Sequence, residues 1–572
     1  MFNADCLALQ GEKTIITTFG FSHLIKIFIL FMKYLFFLFL VPFVCLGDTY
    51  PKNPNIDVKH YAFSIHLSDE TDEINATAEI TFLFKISGIE RIRLDLINQS
   101  EQLQGKGMTV NRILALNIEM KYSHQDNVLW IDLPAPSTAG QFITLQISYH
   151  GIPASGLKIG PNKYEDRTFF SDNWPNRARN WLPTVDHPYE KATSEFIVIA
   201  PKQYQVVSNG LLLEESSQSD GMKLTHWKQS VPISCWLYVL GVAEFAVQYV
   251  DQFDGKSIQT WVYKQDRDAG FYDFAVPTKK TLSFFSDYIG PFVYEKLANI
   301  QSNSVGGGME AASAILYGDN SVTGTRDTRW RNVVIHEVAH QWFGNSVTEY
   351  DWDDVWLSEG FATYFTLLFI EHAYGRDEFV DGLKKARNRV FAFYEKNKEY
   401  RIVHDNLDDM SKVTTGNTYQ KGAWILHMLR QEMGDEAFRK GIQEYYHKFM
   451  NGTTSTTEFR QIMEIHHGKS LEGFFQQWLY QGGNIILEGT WIYNEKKQSL
   501  EVIIKQIQND GFTFSSSVSL GVYEKGSDVP IIHTLKMEES TLKASFNLAI
   551  KPDKIVLDPD TQLLAQWKFS ER

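Results

Sequence analysis

The chain reads as a multidomain α+β protein with an N-terminal antiparallel β domain, a mixed α+β middle and a C-terminal β-sandwich. Three observations predict this. A length of 572 residues is too great for one core and suggests three or four domains. Short alternating apolar runs fill the stretch from Tyr50 to about Gln248, and helical texture replaces them as far as Asn484. Beyond that point alternation returns up to the end of the sequence.

Residues 1–47 stand apart. Met32-Lys33 opens YLFFLFLVPFVCLG, which has a positive start, an apolar centre and small residues at Cys45 and Gly47. That is the pattern of a secretory signal cut after Gly47. Met32 is an alternative start, because Met1–Phe31 is unlike a signal. The competing reading is an N-terminal membrane anchor over Leu24–Leu46, which Lys26 and Lys33 interrupt. Cleavage predicts a secreted or periplasmic chain with no stable membrane span. It leaves Cys235 as the sole cysteine, so no intrachain disulfide forms. Within VPISCWLYVLG that cysteine reads as a buried apolar residue. Asn75, Asn98 and Asn451 are sequons that carry glycan only on a eukaryotic secretory route.

The next part, residues 48–248, holds YAFSIHLS, ATAEITFLFKI, RIRLDLI, NVLWIDL, QFITLQISYHG and SEFIVIA, punctuated by turn residues. This predicts a large antiparallel sheet. Ala178–Thr193 (ARNWLPTVDHPYEKAT) is a loop by its prolines. Residues 249–484 carry the helices, among them PTKKTLSFFSDYIG, DEFVDGLKKARNRVFAFYEKNKEY and TYQKGAWILHMLRQEMGDEAFRKG, with a few strands before them. Residues 485–572 contain IILEGTWIYNEK, SLEVIIKQI, SVSLGVYEK, IIHTLKM and KASFNLAI, enough for one small β-sandwich. The composition, 43% hydrophobic and 22% charged, is that of an ordinary soluble protein. A net charge of -14 argues against a nucleic-acid partner, which wants a basic face.

The middle part is organised around Arg326–Gly360. Asp327 is a natural N-cap, Trp330, Val333, Val334 and Val338 recur at helical spacing, and Gly344 is a natural stop. On this helix His336 and His340 are four residues apart, so both imidazoles leave one face and can grip one metal ion. Glu337 is rotated by about 100° from His336 and can face water bound there. Zinc takes three protein ligands when catalytic, and Glu359, in the apolar run VWLSEGFATYFTLLFIEHAYG, supplies the third. A carboxylate in so apolar a helix needs a cation beside it.

The elements HEVAHQWFGNSVT and DVWLSEGFA resemble the signature of the aminopeptidase N-like zinc peptidases, the gluzincins that include leukotriene hydrolases. Further motifs of that family run from about Arg179 to Gly422, including the loop residues Pro183, Asp186 and Pro188. The resemblance implies a thermolysin-like catalytic domain, one Zn2+ per chain, and a short form without the family's C-terminal helical domain. It implies that Val305-Gly306-Gly307-Gly308-Met309-Glu310 recognises the free amino terminus of a peptide, with Glu310 beside the α-ammonium. By spacing alone the same residues read first as a glycine hairpin with a solvated carboxylate, and only second as an exposed edge that pairs with peptide. Tyr419, in YQKGAWILHMLR, matches the tyrosine that donates to the oxyanion, while Lys421 and Gly422 read as structural. Two positions depart from the family pattern. Ala311 replaces the usual Asn, and Trp174 stands twelve residues before Asp186 where relatives place Glu or Gln, with Asp172 close by.

The implied activity is hydrolysis of the N-terminal peptide bond by metal-activated water, with Glu337 as general base. Ala311 and Trp174 leave open an enzyme with altered end-recognition, an oligopeptidase or a restricted exopeptidase. A non-catalytic scaffold is the third reading, against which stands the full set His336, Glu337, His340, Glu359 and Tyr419.

Overall fold

The computed structural model describes residues 48–275, 278–404, 407–509 and 511–572. The signal and anchor readings of residues 1–47 lie outside them. Among the described residues no helix is long and apolar enough to cross a membrane.

Alternation builds the first part as the sequence implies. Ile74–Phe84 buries every second residue, Ile74, Ala76, Ala78, Ile80, Phe82 and Phe84, and so lies with one face on the core. It is a central strand of an eight-stranded sheet, between Ile56–His66 and Phe142–Ile152. One neighbouring pair in this sheet is parallel, Ile56–His66 with Ala192–Pro201, because the long connection between them returns the chain to the same end. Cys235 is a free, buried cysteine on the core side of this region.

A five-stranded sheet follows, in the order Phe245–Phe253, Lys256–Tyr263, Lys296–Ser302, Ala314–Gly318, Gly308–Met309. Its first strand runs through residue 248, so a boundary drawn there cuts a strand that pairs forward with Lys256–Tyr263. At its other edge lies the two-residue strand Gly308–Met309. The helix Thr328–His340 packs beside that edge, Trp356–Tyr374 packs on this helix, and Gly416–Met433 packs on Trp356–Tyr374. Two sheets of four and three strands, beginning at Ile485–Asn494, form the C-terminal sandwich.

Two devices hold the helices in register. Phe343 packs on Phe361 and Phe365 of the second helix, with ring centroids at 4.8 and 4.9 Å. Gly360 and Gly422 let the second and third helices nearly touch. A Cβ built on Gly360 would lie 2.9 Å from the Gly422 Cα, so any side chain there forces the backbones apart. Lys191 links the first part to the second: its buried Nζ donates to the carbonyls of Asn345, Ser346 and Gly452 at 3.0, 2.8 and 2.9 Å. Burial pushes this ammonium down to about 7, and three carbonyl oxygens take the place of its water.

Candidate metal centre

Asp327 caps the first helix, its side chain accepting from the main-chain N–H of Arg329 and Trp330. The helix ends at His340, before Gly344. Gly344 turns the chain in a left-handed conformation, φ 105°, past the second histidine. His336 and His340 project together, their Nε2 atoms 3.1 Å apart. Glu359 enters from the apolar helix, with Oε2 at 3.5 Å from His336 Nε2 and 3.3 Å from His340 Nε2. The ligating atoms of all three fall within 4.8 Å of one another.

The surroundings tune these groups for a cation. His340 Nδ1 is 3.1 Å from the Phe343 carbonyl, an acceptor that holds a proton on Nδ1 and leaves Nε2 as the atom turned to Glu359. Ser358 Oγ lies 3.1 Å from the same nitrogen. Among the described residues buried Glu310 Oε1 has no hydrogen-bond partner, and Glu359 Oε2 is approached by the two imidazole nitrogens. Burial raises Glu310 to about 7, helped by the Glu359 charge and opposed by His340. Burial and the Glu310 charge likewise hold the Glu337 carboxyl well above its usual range. Burial lowers His340, but the charges of Glu310 and Glu359 outweigh it and lift the imidazole to about 10. Ionised together, these three buried carboxyl groups would outweigh the positive charge of the imidazoles, and a divalent cation offsets that excess. Two imidazole nitrogens and one carboxylate are a donor set suited to zinc.

The edge strand brings the remaining residues to the same place. Gly308 pairs with Tyr317 and Met309 with Leu316, and Met309 is buried in the sheet. The Gly307 carbonyl accepts from the Gly318 N–H at 2.8 Å. A Cβ on Gly308 would lie 2.1 Å from Glu337 Oε1, so only glycine admits the edge this close to that carboxylate. Glu310 is buried, not solvated as a plain hairpin would leave it. Its main-chain carbonyl is clamped by Gln341 Nε2 at 3.0 Å and Asn345 Nδ2 at 2.6 Å. Tyr419 donates to Glu359 Oε1 at 3.0 Å, and its ring stacks near His336. A cleft of about 380 Å3 opens over these groups, lined by Gly308, Val333, His336, Glu337, Thr363 and Tyr419 among others. A larger cavity of about 590 Å3, near Met428, Phe474 and Trp478, shares no residue with it.

Two family models match the chain, the peptidase M1 N-terminal domain over residues 57–237 and the peptidase family M1 domain over residues 274–478. Together they span well over half of it. The chain belongs to peptidase family M1. This M1 chain is similar to glutamyl aminopeptidase of Sus scrofa, 30% identical over 347 residues, which are 58% of this chain and 36% of the relative. It is also 28% identical over 322 residues to tricorn protease-interacting factor F2 of Thermoplasma volcanium, covering 54% of this chain and 40% of that protein. It therefore spans well under half the length of these curated relatives. An M1 zinc metallopeptidase from Deinococcus radiodurans shares its fold, with a TM-score of 0.62 and 24% identity, covering 74% of this chain and 93% of the other.

The departures in this M1 chain have structural settings. Ala311 is buried. Trp174 sits in a cluster of tryptophans, 5.0 Å from Trp236 and 4.9 Å from Trp352. Asp172 is bound to Arg177 at 2.6 Å, and its charge adds to those that raise Glu310. Gln341, Asn345 and Ser358 act on the site as well, though only Gln341 and Ser358 adjoin a residue of the H-E-x-x-H and Glu motifs.

One consequence of the glycine contact is testable. In Gly308→Ala the new methyl must displace the Glu337 carboxylate, and a shift of about 1 Å costs up to about 100-fold in rate wherever the displaced group takes part in a reaction. A fall of that order in kcat, with metal content unchanged, is expected by steady-state kinetics and metal analysis.

Proposed function

We propose that this chain is a zinc-dependent aminopeptidase that hydrolyses the first peptide bond of peptides with a free amino terminus. The observation that carries the reading is the convergence of His336, His340 and Glu359 at the end of an edge strand that terminates in buried Glu310. His336, His340 and Glu359 would hold the ion. When bound there, zinc would supply Lewis acidity for polarising a carbonyl and for acidifying water. Glu337, its basicity raised by burial, takes the proton from that water and returns it to the leaving amine. The Tyr419 phenol is held protonated by burial and the Glu359 charge, and so is a hydrogen-bond donor for the developing oxyanion. A substrate backbone pairs with the free edge of Gly308–Met309, and Glu310 receives the α-ammonium, which stops the peptide with its first bond at the ion. The secretory pattern read in the sequence of residues 1–47 supports a chain that works outside the cytoplasm.

Ala311 and Trp174 favour a second reading, in which the amino end is held differently and blocked or unusual termini are accepted. Matched free and N-acetylated peptides separate the two. An acetylated end leaves Glu310 buried without its partner, so kcat/KM for the blocked peptide is expected to be at least about 100-fold lower. Equal rates on both overturn the exopeptidase reading.

A further inference from the structure

Away from the three helices, Asp48, His187 and Asp351 also bring their ligating atoms within 4.8 Å of one another. A metal site is the first reading, but a cation is already present. Lys52 Nζ lies 3.1 Å from Asp48 Oδ1 and 3.0 Å from Asp351 Oδ2. His187 Nε2 lies 2.6 Å from Asp48 Oδ2, and burial lowers this imidazole, so it brings a proton donor and no charge. Two carboxylates therefore face one ammonium in a largely buried cluster, where an unpaired charge is costly. Burial and the Asp48 charge accordingly raise the Asp351 carboxyl to about 7. The group that reaches the other oxygen of Asp351 is the main-chain nitrogen of Asp48, 2.7 Å from Oδ1.

We propose that the chain is cut between Gly47 and Asp48 and that the α-ammonium so released docks on Asp351 as the second cation of this cluster. A signal-processing peptidase hydrolyses the Gly47–Asp48 amide with one water. The carbonyl carbon keeps the oxygen as the new carboxylate of Gly47, and the nitrogen takes up protons to become the α-ammonium of Asp48. An α-amino group titrates near 8 in water, and a carboxylate beside it favours its charged form. The charges then balance, two negative against two positive.

The docked end is joined to the loop that leads into the Glu359 helix. Asp48 Oδ2 accepts from the Trp352 N–H at 3.3 Å, and Trp352 packs on Trp174. Tyr50 stacks on His187 with centroids at 4.6 Å. Asp353 accepts from the Leu407 N–H at 3.1 Å, and the Leu407 carbonyl accepts from Thr49 at 3.4 Å. Maturation would thus complete a clasp between the first residues of the mature chain and the segment that precedes the third ligand. The cut rests on the export reading under Proposed function, whereas the ion pair rests on the contacts of Asp48 and is tested apart from it.

The full chain, expressed with residues 1–47 in a secreting host, is expected to yield Asp48 as the first residue on N-terminal sequencing. Any other terminus overturns the cut. Two chains released from a removable tag, one beginning at Asp48 and one at Gly47, test the pairing. The Asp48 form is expected to melt higher by roughly 2 °C, the scale of one such pair in a chain of this size. Asp351→Asn is expected to erase that difference. Equal melting of the two wild-type termini overturns the ion pair, and this comparison decides the matter even where Asp351→Asn does not fold.

Discussion

Glu337→Gln is expected to lower kcat by about 1,000-fold while the protein keeps its metal. Glutamine preserves the volume under Gly308 and leaves His336 and His340 on their own helix face, so neither the ligands nor the packing change. What disappears is a proton acceptor whose basicity burial has raised. General acid–base groups contribute between about 100-fold and 10,000-fold, and this one serves both the attack and the departure of the amine. Parallel metal analysis and single-turnover kinetics check the prediction. A variant that hydrolyses within a factor of about ten of wild type removes Glu337 from the proton path.

Glu359→Ala is expected to abolish measurable activity through a different route, loss of the ion. Groups one shell further out already cost about 10-fold to 100-fold in metal affinity when removed, so losing a ligand should cost more. The same change strands Tyr419, whose hydroxyl donates to Glu359 Oε1. It also leaves the two histidines without the carboxylate they share, which lowers the attraction for a cation. Metal content after dialysis should therefore fall well below one ion per chain in Glu359→Ala and hold in Glu337→Gln. Equal retention in both variants contradicts the assignment of Glu359 as a ligand.

The alternating strands and the H-E-x-x-H spacing were legible because each is a local property: a period of two puts residues on one face of a sheet, and a spacing of four puts them on one face of a helix. Glu359 was legible from an anomaly, a carboxylate in an otherwise apolar helix. Spacing could not decide between a solvated and a buried Glu310, since burial there comes from Gln341 and Asn345 closing over the strand. Nor could it show that Phe245–Phe253 pairs forward across residue 248, or that Ile56–His66 pairs in parallel with Ala192–Pro201. Lys191 was invisible for the same reason. Its three carbonyl partners lie more than 150 positions away in the chain, and no local pattern encodes contacts of that range.

The central claim is that one ion, gripped by His336, His340 and Glu359, is needed for cleavage of the first peptide bond. The most direct measurement follows bound zinc and hydrolysis of an aminoacyl substrate in the same wild-type sample before chelation, after it, and after zinc is returned. One zinc per chain, lost and regained together with activity, is the expected result. Full hydrolysis by a chain stripped of metal would contradict the account.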